Sequence, residues 1–457
     1  MSKILFSLFS NINWLSDEKI DPFYDGFISS LTKQGNEVML IRTNEFLSKQ
    51  DSNDLFSYIN INKLTEEVKK FDPDFIIAAN HHVPRCILNK INCPILIWTS
   101  DSPVWYSDKD YIKKNISRYK FLHQGWNNAH TKVCQDIFAA REDQNFCVGY
   151  ATTLESKPMT IESNIIFIGT IGYTDNIKNY LKHICDNAGL AKLRKSYEQI
   201  KKSPFNYSEE NFIENQLKVS DYFYALTSNN RIKTLDSISD LGLKVLGYPH
   251  NFFEVVPYSM NLAFCFDYSS VTTMDETAKL LNSSKISLNL YHAQAVTGFS
   301  WRVADIMASN SCLISPNKPD LVKFNPYIKI PTFETPEEAR ELCIKLLKDD
   351  VWRKDIVDAS HKAIEKHGRF EHMFKTMEEI IGVKLLNNKV DQNKKYLIFL
   401  QVNDFCNIAT SASFVVSTKI QNSKIVQKFM IKILKLIPKT ILRKLYYFIL
   451  NLKNDII

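Results

Sequence analysis

The chain has 457 residues, 45% hydrophobic and 23% charged, which is too much for one core and matches a globular protein rather than a disordered one. No run of about 18 apolar residues occurs, which excludes a transmembrane helix from the expected elements. The net charge of +7 sits in the tail: from Gln421 on there are eight basic residues and one acid, and the 420 residues before it carry 49 of each. A neutral body argues against nucleic acid as a partner.

Taken in order, the first half alternates strands and helices. Met1 to Asn11 is too short in apolar residues for a secretory signal and reads as a strand, Ile4–Phe9. Pro22–Lys33 is amphipathic with a stop at Gly35, and Val38–Ile41 is the next strand. Leu55–Phe71 reads as a helix, broken by Asp72-Pro73 before strand Phe75–Ala79. Strand Pro94–Trp98 leads into the polar loop Thr99–Pro103, and Tyr119–His123 is a weaker strand. This spacing predicts a doubly wound parallel sheet. No G-x-G-x-x-G follows the first strand, which weighs against an NAD-dependent enzyme.

A polar stretch from Tyr150 to Asn164 reads as an interdomain linker, and Asn164–Gly169 opens a second α/β series. Residues 179 to 216 are polar and helix-rich, Arg231 to Gly242 is a helix with its glycine stop, and Lys244–Leu246 is a strand. Then come strand Ile286–Leu290, a turn with Gly298, a helix from Arg302 to Ala308 and strand Cys312–Ile314 ending at Pro316. Thr335, with Glu338 three residues on, reads as a helix cap, and two amphipathic helices are expected to run to Ile381. Domains are placed at 1–155, 160–382 and 383–457. Nine scattered cysteines without a C-x-x-C pair read as reduced core thiols of a cytosolic protein.

Strand, loop, helix, strand across Ser283–Asp320 places the loop where ligands of parallel sheets bind, at strand carboxyl ends against a helix N-terminus. Gly298 permits close backbone approach, Arg302 is a fork-shaped donor and Asp305 an acceptor. Thr297-Gly-Phe-Ser-Trp-Arg-Val-Ala-Asp305 resembles the donor-binding motif of retaining GT-B glycosyltransferases of the group 1 family, two Glu residues ahead of a small-residue helix. With Arg302 it resembles the CgeB-like branch. Thr297 stands in place of the first acid and Asp305 of the second. The resemblance covers about Asn164 to Gly382.

It implies a GT-B fold, two Rossmann-like domains facing a cleft with a C-terminal helical extension. It also implies a nucleotide-sugar donor held by the second domain, an acceptor hydroxyl of a glycan at the first, retention of configuration, and no metal or cofactor; the basic tail makes a lipid-linked glycan the expected acceptor. Asp305 would hold the ribose diol. Otherwise it is a helix N-terminal Asp stabilised by the macrodipole. Arg302 would pair with the diphosphate, or else with Asp305. Thr297 and Gly298 line the loop. Gly169 and Tyr173 would approach the donor at the strand end, and Tyr248, beside His250, would meet the base. Each also reads as a plain turn residue.

In the first domain, Asp101 resembles the acidic loop of the same branch. It would take a proton from the acceptor or orient the donor sugar, or merely cap the next helix. His82, next to His81, reads as a hydrogen-bonding residue of the cleft rather than a metal ligand, and His123 likewise. A catalytically inactive sugar-binding scaffold is the alternative function.

In the tail, Lys424, Lys428, Lys432, Lys435, Lys439 and Arg443 fall on one helix stripe, with apolar residues away from it. Such a helix suits an anionic membrane surface, which would set a cytoplasmic protein against the inner face of the membrane. Otherwise it packs on the body with its lysines solvated.

Overall fold

The computed structural model describes residues 2–9, 22–43, 61–103, 106, 109–125, 129–171, 226–247, 255, 258–267, 271, 273–293, 295, 297–387 and 395–399. Tyr173, Tyr248, His250, the stretch 179–216 expected to be helix-rich and the whole basic stripe lie outside them.

The first unit is a seven-stranded parallel sheet. Its strands are β1 (Lys3–Phe9), β2 (Glu37–Thr43), β3 (Phe75–Ala79), β4 (Ile95–Thr99), β5 (Tyr119–Gln124), β6 (Asn145–Val148) and β13 (Lys395–Phe399), in the order β13-β2-β1-β3-β4-β5-β6. Every residue of β3 and β4 is buried, as in a sheet covered by helices on both faces. The period of two divides β1 between two cores. Ile4, Phe6 and Leu8 join a cluster that runs on into the second unit, and Leu5 joins a separate one on the far face.

The second unit has β7 (Ser163–Ile168), β8 (Leu243–Leu246), β9 (Phe266–Asp267), β10 (Ser284–Leu288), β11 (Cys312–Pro316) and β12 (Thr332–Phe333). They run parallel in the order β12-β11-β10-β7-β8-β9. Numbered within the unit this is 6-5-4-1-2-3, the doubly wound dinucleotide-fold order, whose strand order reverses between β7 and β10. The fold class is therefore the one expected: two Rossmann-like parallel-sheet units.

The chain crosses between the units twice, and the crossings are tied together. The Thr152 N–H donates to the Gly368 carbonyl at 2.9 Å, and Arg369 Nη1 donates to the carbonyls of Thr152 and Leu154 at 3.1 and 2.6 Å. The returning helix Phe370–Ile381 then packs on the first unit, with the Phe27 ring 5.7 Å from Phe370 and 5.6 Å from Phe374.

Two expectations change here. The region 336–381 holds three helices, Pro336–Lys348, Asp350–His367 and Phe370–Ile381. Asp349 caps the second of these and Gly368 ends it, so the long amphipathic pattern is broken twice. The third domain, 383–457, is not wholly an appendage either. β13 extends the first sheet beside β2, and the carbonyls of Lys384 and Leu385 accept from Ser2 Oγ at 2.6 Å and Asn36 Nδ2 at 2.7 Å. Sequence order alone cannot show that the chain returns to its first sheet. Thr335 does cap its helix, accepting from the Glu338 N–H at 3.2 Å, and the seven described cysteines are all free.

Candidate functional site at the facing strand ends

In the second unit, a helix over 226–237 carries Arg231 to the point where the strand order reverses. Its Nη1 donates to the Thr170 carbonyl, past β7, at 2.6 Å, and its Nη2 to the Leu290 carbonyl, past β10, at 2.9 Å. Arg231 is thus a buried cation straddling the crevice where ligands of this sheet type bind. Beside it, burial first and the Arg231 charge second push the His292 pKa down to about 3. Gly169 ends β7 with its N–H on the Leu246 carbonyl at 2.9 Å.

The loop from Thr297 to Trp301 follows on the same side. Thr297 is held by Asp320, whose N–H donates to the Thr297 carbonyl at 3.2 Å. Burial raises the Asp320 pKa, against the opposing hydrogen bond from Thr297 and the charges of Lys323 and Lys318. Ser300 Oγ donates to Asn289 Oδ1 at 2.7 Å, which ties the loop to the end of β10. Gly298 is buried.

The helix Arg302–Met307 begins directly after Trp301, and Asp305 lies in its first turn. Asp305 is only 1% exposed. One carboxylate oxygen accepts from Thr152 Oγ1 of the linker at 2.7 Å, and the other pairs with Arg302 Nη1 at 3.1 Å. The structure therefore brings Arg302 and Asp305 together as an ion pair and presents little of Asp305 to a ligand. The sequence pattern shows the i, i+3 pair but not Thr152, which is distant in the chain.

The same loop meets the first unit. The Trp301 ring stacks on Phe23 at 5.2 Å and 13°, and Phe299 faces Tyr150 at 6.1 Å. At the end of β5, Gly125 has φ +67, and a Cβ there would lie 2.5 Å from the Phe299 carbonyl oxygen. The carboxyl ends of the two sheets are thus joined through the motif itself.

On the first unit, Asp101 is exposed at the end of β4. Its charge reaches Tyr150, whose pKa is raised first by burial and then by Asp101, and Tyr106, whose pKa is raised first by burial, then by Cys134 and then by Asp101. Asn80, at the end of β3, holds the loop. Its Oδ1 accepts from the N–H groups of Ser100 and Asp101 at 2.9 and 3.0 Å, and its Nδ2 donates to Asp101 Oδ2 at 2.7 Å. His82 is half-buried beside it, and its carbonyl accepts from Ser7 Oγ of β1.

His81 and His123 are internal. His81 Nε2 is 3.2 Å from the Tyr119 hydroxyl. His123 sits between Thr99 Oγ1 at 2.9 Å and Asn145 Oδ1 at 3.0 Å. Neither reaches a cleft, and among the described residues no group of three or more His, Cys, Asp or Glu side chains is placed to hold a metal.

Burial lowers the pKa of His81 to about 3, of His123 to about 4 and of His130 to about 3. An unfolded histidine titrates near 6.5, so as pH falls the unfolded chain binds protons first. Stability from these groups is complete above about pH 6.5 and is lost as pH falls towards their folded values. The melting temperature should hold steady above neutrality and fall continuously below about pH 6.5. A melting series at constant ionic strength checks this, and a flat curve down to pH 4.5 would contradict neutral burial.

Comparison with known proteins agrees with the second unit's reading. Residues 231–379 match the family model described as Glycosyl transferase-like. No curated protein matches the chain in sequence. Among solved structures, a glycosyltransferase from Rickettsia africae is similar at 13% identity and TM-score 0.45, over 85% of this chain and 99% of that one. T4 phage β-glucosyltransferase, solved with UDP and Mn2+, is similar at 14% identity and TM-score 0.45, over 83% of this chain and all of the other. Anabaena HepE in complex with UDP-glucose is similar at 10% identity and TM-score 0.43, over 84% and 100%. The family match begins at Arg231, a residue that no sequence motif marks because it lies in an ordinary helical pattern. Gly125 and Asn80 give no sequence signal for a different reason: each is a single residue at a strand end, with no spacing signature.

Proposed function

We propose that this protein transfers a sugar from a nucleotide-sugar donor to an acceptor hydroxyl. The observation that carries the reading is the position of the Thr297–Trp301 loop. It lies within the Glycosyl transferase-like match, at the carboxyl ends of the second sheet, and is packed against the carboxyl ends of the first. The second unit takes the donor, with Gly169, Thr297, Gly298 and Arg302 near the sugar diphosphate and Arg231 as buried positive charge beneath it. The first unit takes the acceptor.

In this reading Asp101 accepts the acceptor's proton. The acceptor oxygen bonds to the anomeric carbon, the bond from that carbon to the diphosphate breaks, and the nucleoside diphosphate leaves with the electron pair. Retention of configuration and membership of the CgeB-like branch belong to the proposal through the motif alone. A hexosyl donor, Tyr173 and Tyr248 at the donor, and a lipid-linked acceptor reached through the tail stripe in bacterial surface-polysaccharide synthesis are further parts of the proposal.

A thermal-shift screen of UDP-, GDP- and dTDP-linked sugars, followed by an assay of nucleoside diphosphate release, tests the core claim. Turnover should survive excess EDTA, because Arg231, Arg302 and backbone donors supply the charge the leaving group needs. Complete loss, restored by a divalent ion, would overturn that part.

One observation favours the scaffold alternative. Asp305 is 1% exposed and each of its oxygens already has a protein partner, so a ribose diol would reach it only if the side chains around it moved. A nucleotide sugar that raises the melting temperature but is never turned over would decide for the scaffold.

The membrane stripe is tested separately. Full-length protein should co-sediment with anionic vesicles at low salt and be released at high salt. Protein that stays in the supernatant at low salt would refute the attachment.

A further inference from the structure

We infer that Asn80 is the positioning residue that aims the Asp101 carboxylate into the cleft. The inference rests on the reading of Asp101 as the proton acceptor. Residues Ala79 to His82 form a tight turn closed by the His82 N–H on the Ala79 carbonyl at 3.1 Å, with φ +49 at Asn80 and +62 at His81. Two successive left-handed residues define a type I′ turn. Such turns ordinarily join antiparallel strands, whereas β3 is followed by a helix and a parallel strand. Neither residue is glycine, so the turn is held at a conformational cost that its hydrogen bonds must offset.

What the turn achieves is the direction of one side chain. It turns the Asn80 carboxamide across to the end of the neighbouring strand, where its three hydrogen bonds go to one loop. The oxygen takes the N–H groups of Ser100 and Asp101, and the nitrogen donates to the Asp101 carboxylate. Asn80 therefore fixes both the backbone that carries Asp101 and one of its two carboxylate oxygens. Asparagine fits this position on two grounds. It tolerates left-handed φ better than most residues, and its amide presents an acceptor and a donor side by side. An aspartate would supply the acceptor but would face Asp101 with a second negative charge. Ser7, through the His82 carbonyl, anchors the far end of the turn to β1. The loop is thus braced from the two strands flanking the reversal in the first sheet.

The test uses full-length protein and the variant Asn80→Gly, because glycine holds this φ without strain and removes only the carboxamide. The first measurement needs no substrate. Carbonyl-carbon NMR titration of labelled aspartates follows Asp101, assigned by its loss in Asp101→Asn. A hydrogen bond to the charged form favours that form, so removing it should raise the Asp101 midpoint by about one pH unit.

The second measurement is release of nucleoside diphosphate from whichever UDP-, GDP- or dTDP-sugar the wild type turns over. In Asn80→Gly, kcat should fall about 10- to 100-fold with the donor KM within about twofold. The acid limb of the rate profile should rise with the titration midpoint. In an Asp101→Ala background, Asn80→Gly should have no further effect. If Asn80→Gly does not fold, Asn80→Asp serves instead. It keeps the acceptor and should raise the Asp101 midpoint further by like-charge repulsion.

A folded variant with unchanged midpoint and kcat, beside an inactive Asp101→Ala, overturns the role of Asn80 and leaves the proton-acceptor reading standing. Full turnover in Asp101→Ala overturns that reading itself.

Discussion

Asp305→Ala should lower the stability of the folded protein by about 2–4 kcal/mol, a larger effect than the loss of any one ligand contact. The carboxylate is 1% exposed and serves two partners, Thr152 and Arg302. Removing it leaves the Thr152 hydroxyl, itself only 2% exposed, without its acceptor, and costs about 1–3 kcal/mol for that group alone. The Arg302 side chain retains 19% exposure, so water can take over part of its loss, which keeps the total below the upper range for a fully buried pair.

Asp305→Asn keeps an acceptor for Thr152 and should recover about half of the stability. Chemical denaturation of the three proteins, paired with calorimetric titration of a nucleotide sugar, distinguishes a structural carboxylate from a ligand-binding one. An alanine variant with wild-type stability and lost nucleotide affinity would return Asp305 to the ribose role that its motif position implies.

Gly125→Ala should be comparably damaging, at about 3 kcal/mol, although it adds a single methyl group. Gly125 has φ +67, where an L side chain strains the backbone, and its new Cβ would meet the Phe299 carbonyl oxygen at 2.5 Å and Tyr150 Cε2 at 2.8 Å. The nearer neighbour is backbone, so the clash is relieved only by separating the Phe299 loop from β5. That movement opens the contact between the two units. Gly382→Ala is the control. It also has positive φ, +70, but no atom lies within 4 Å of the added Cβ. It should cost only the conformational term, about 1 kcal/mol. Equal losses in the two variants would show that the inter-unit contact at Gly125 contributes nothing.

The sequence by itself determined the two-sheet architecture, because the signals for it are local. A buried parallel strand is a short apolar run, and its helix is a 3.6-residue pattern between turn residues. These survive in Phe75–Ala79, Ile95–Thr99 and Asn164–Gly169 whatever the rest of the chain does. The same locality placed Asp101, Gly298 and Arg302 at strand or helix ends, and it identified the capped helix at Thr335.

Tertiary structure alone decided what those residues touch. The partner of Asp305 that lies outside its own helix, Thr152, is 153 positions away along the chain. Arg231 reaches the carbonyls of two strands that become neighbours only through a crossover. Asn80 serves Asp101 from an adjacent strand. The Phe370–Ile381 helix and β13 complete the first unit after the chain has built the second. Each of these is set by strand order and by which surfaces must be covered. Those are properties of the assembled sheets, and no spacing within a single element encodes them.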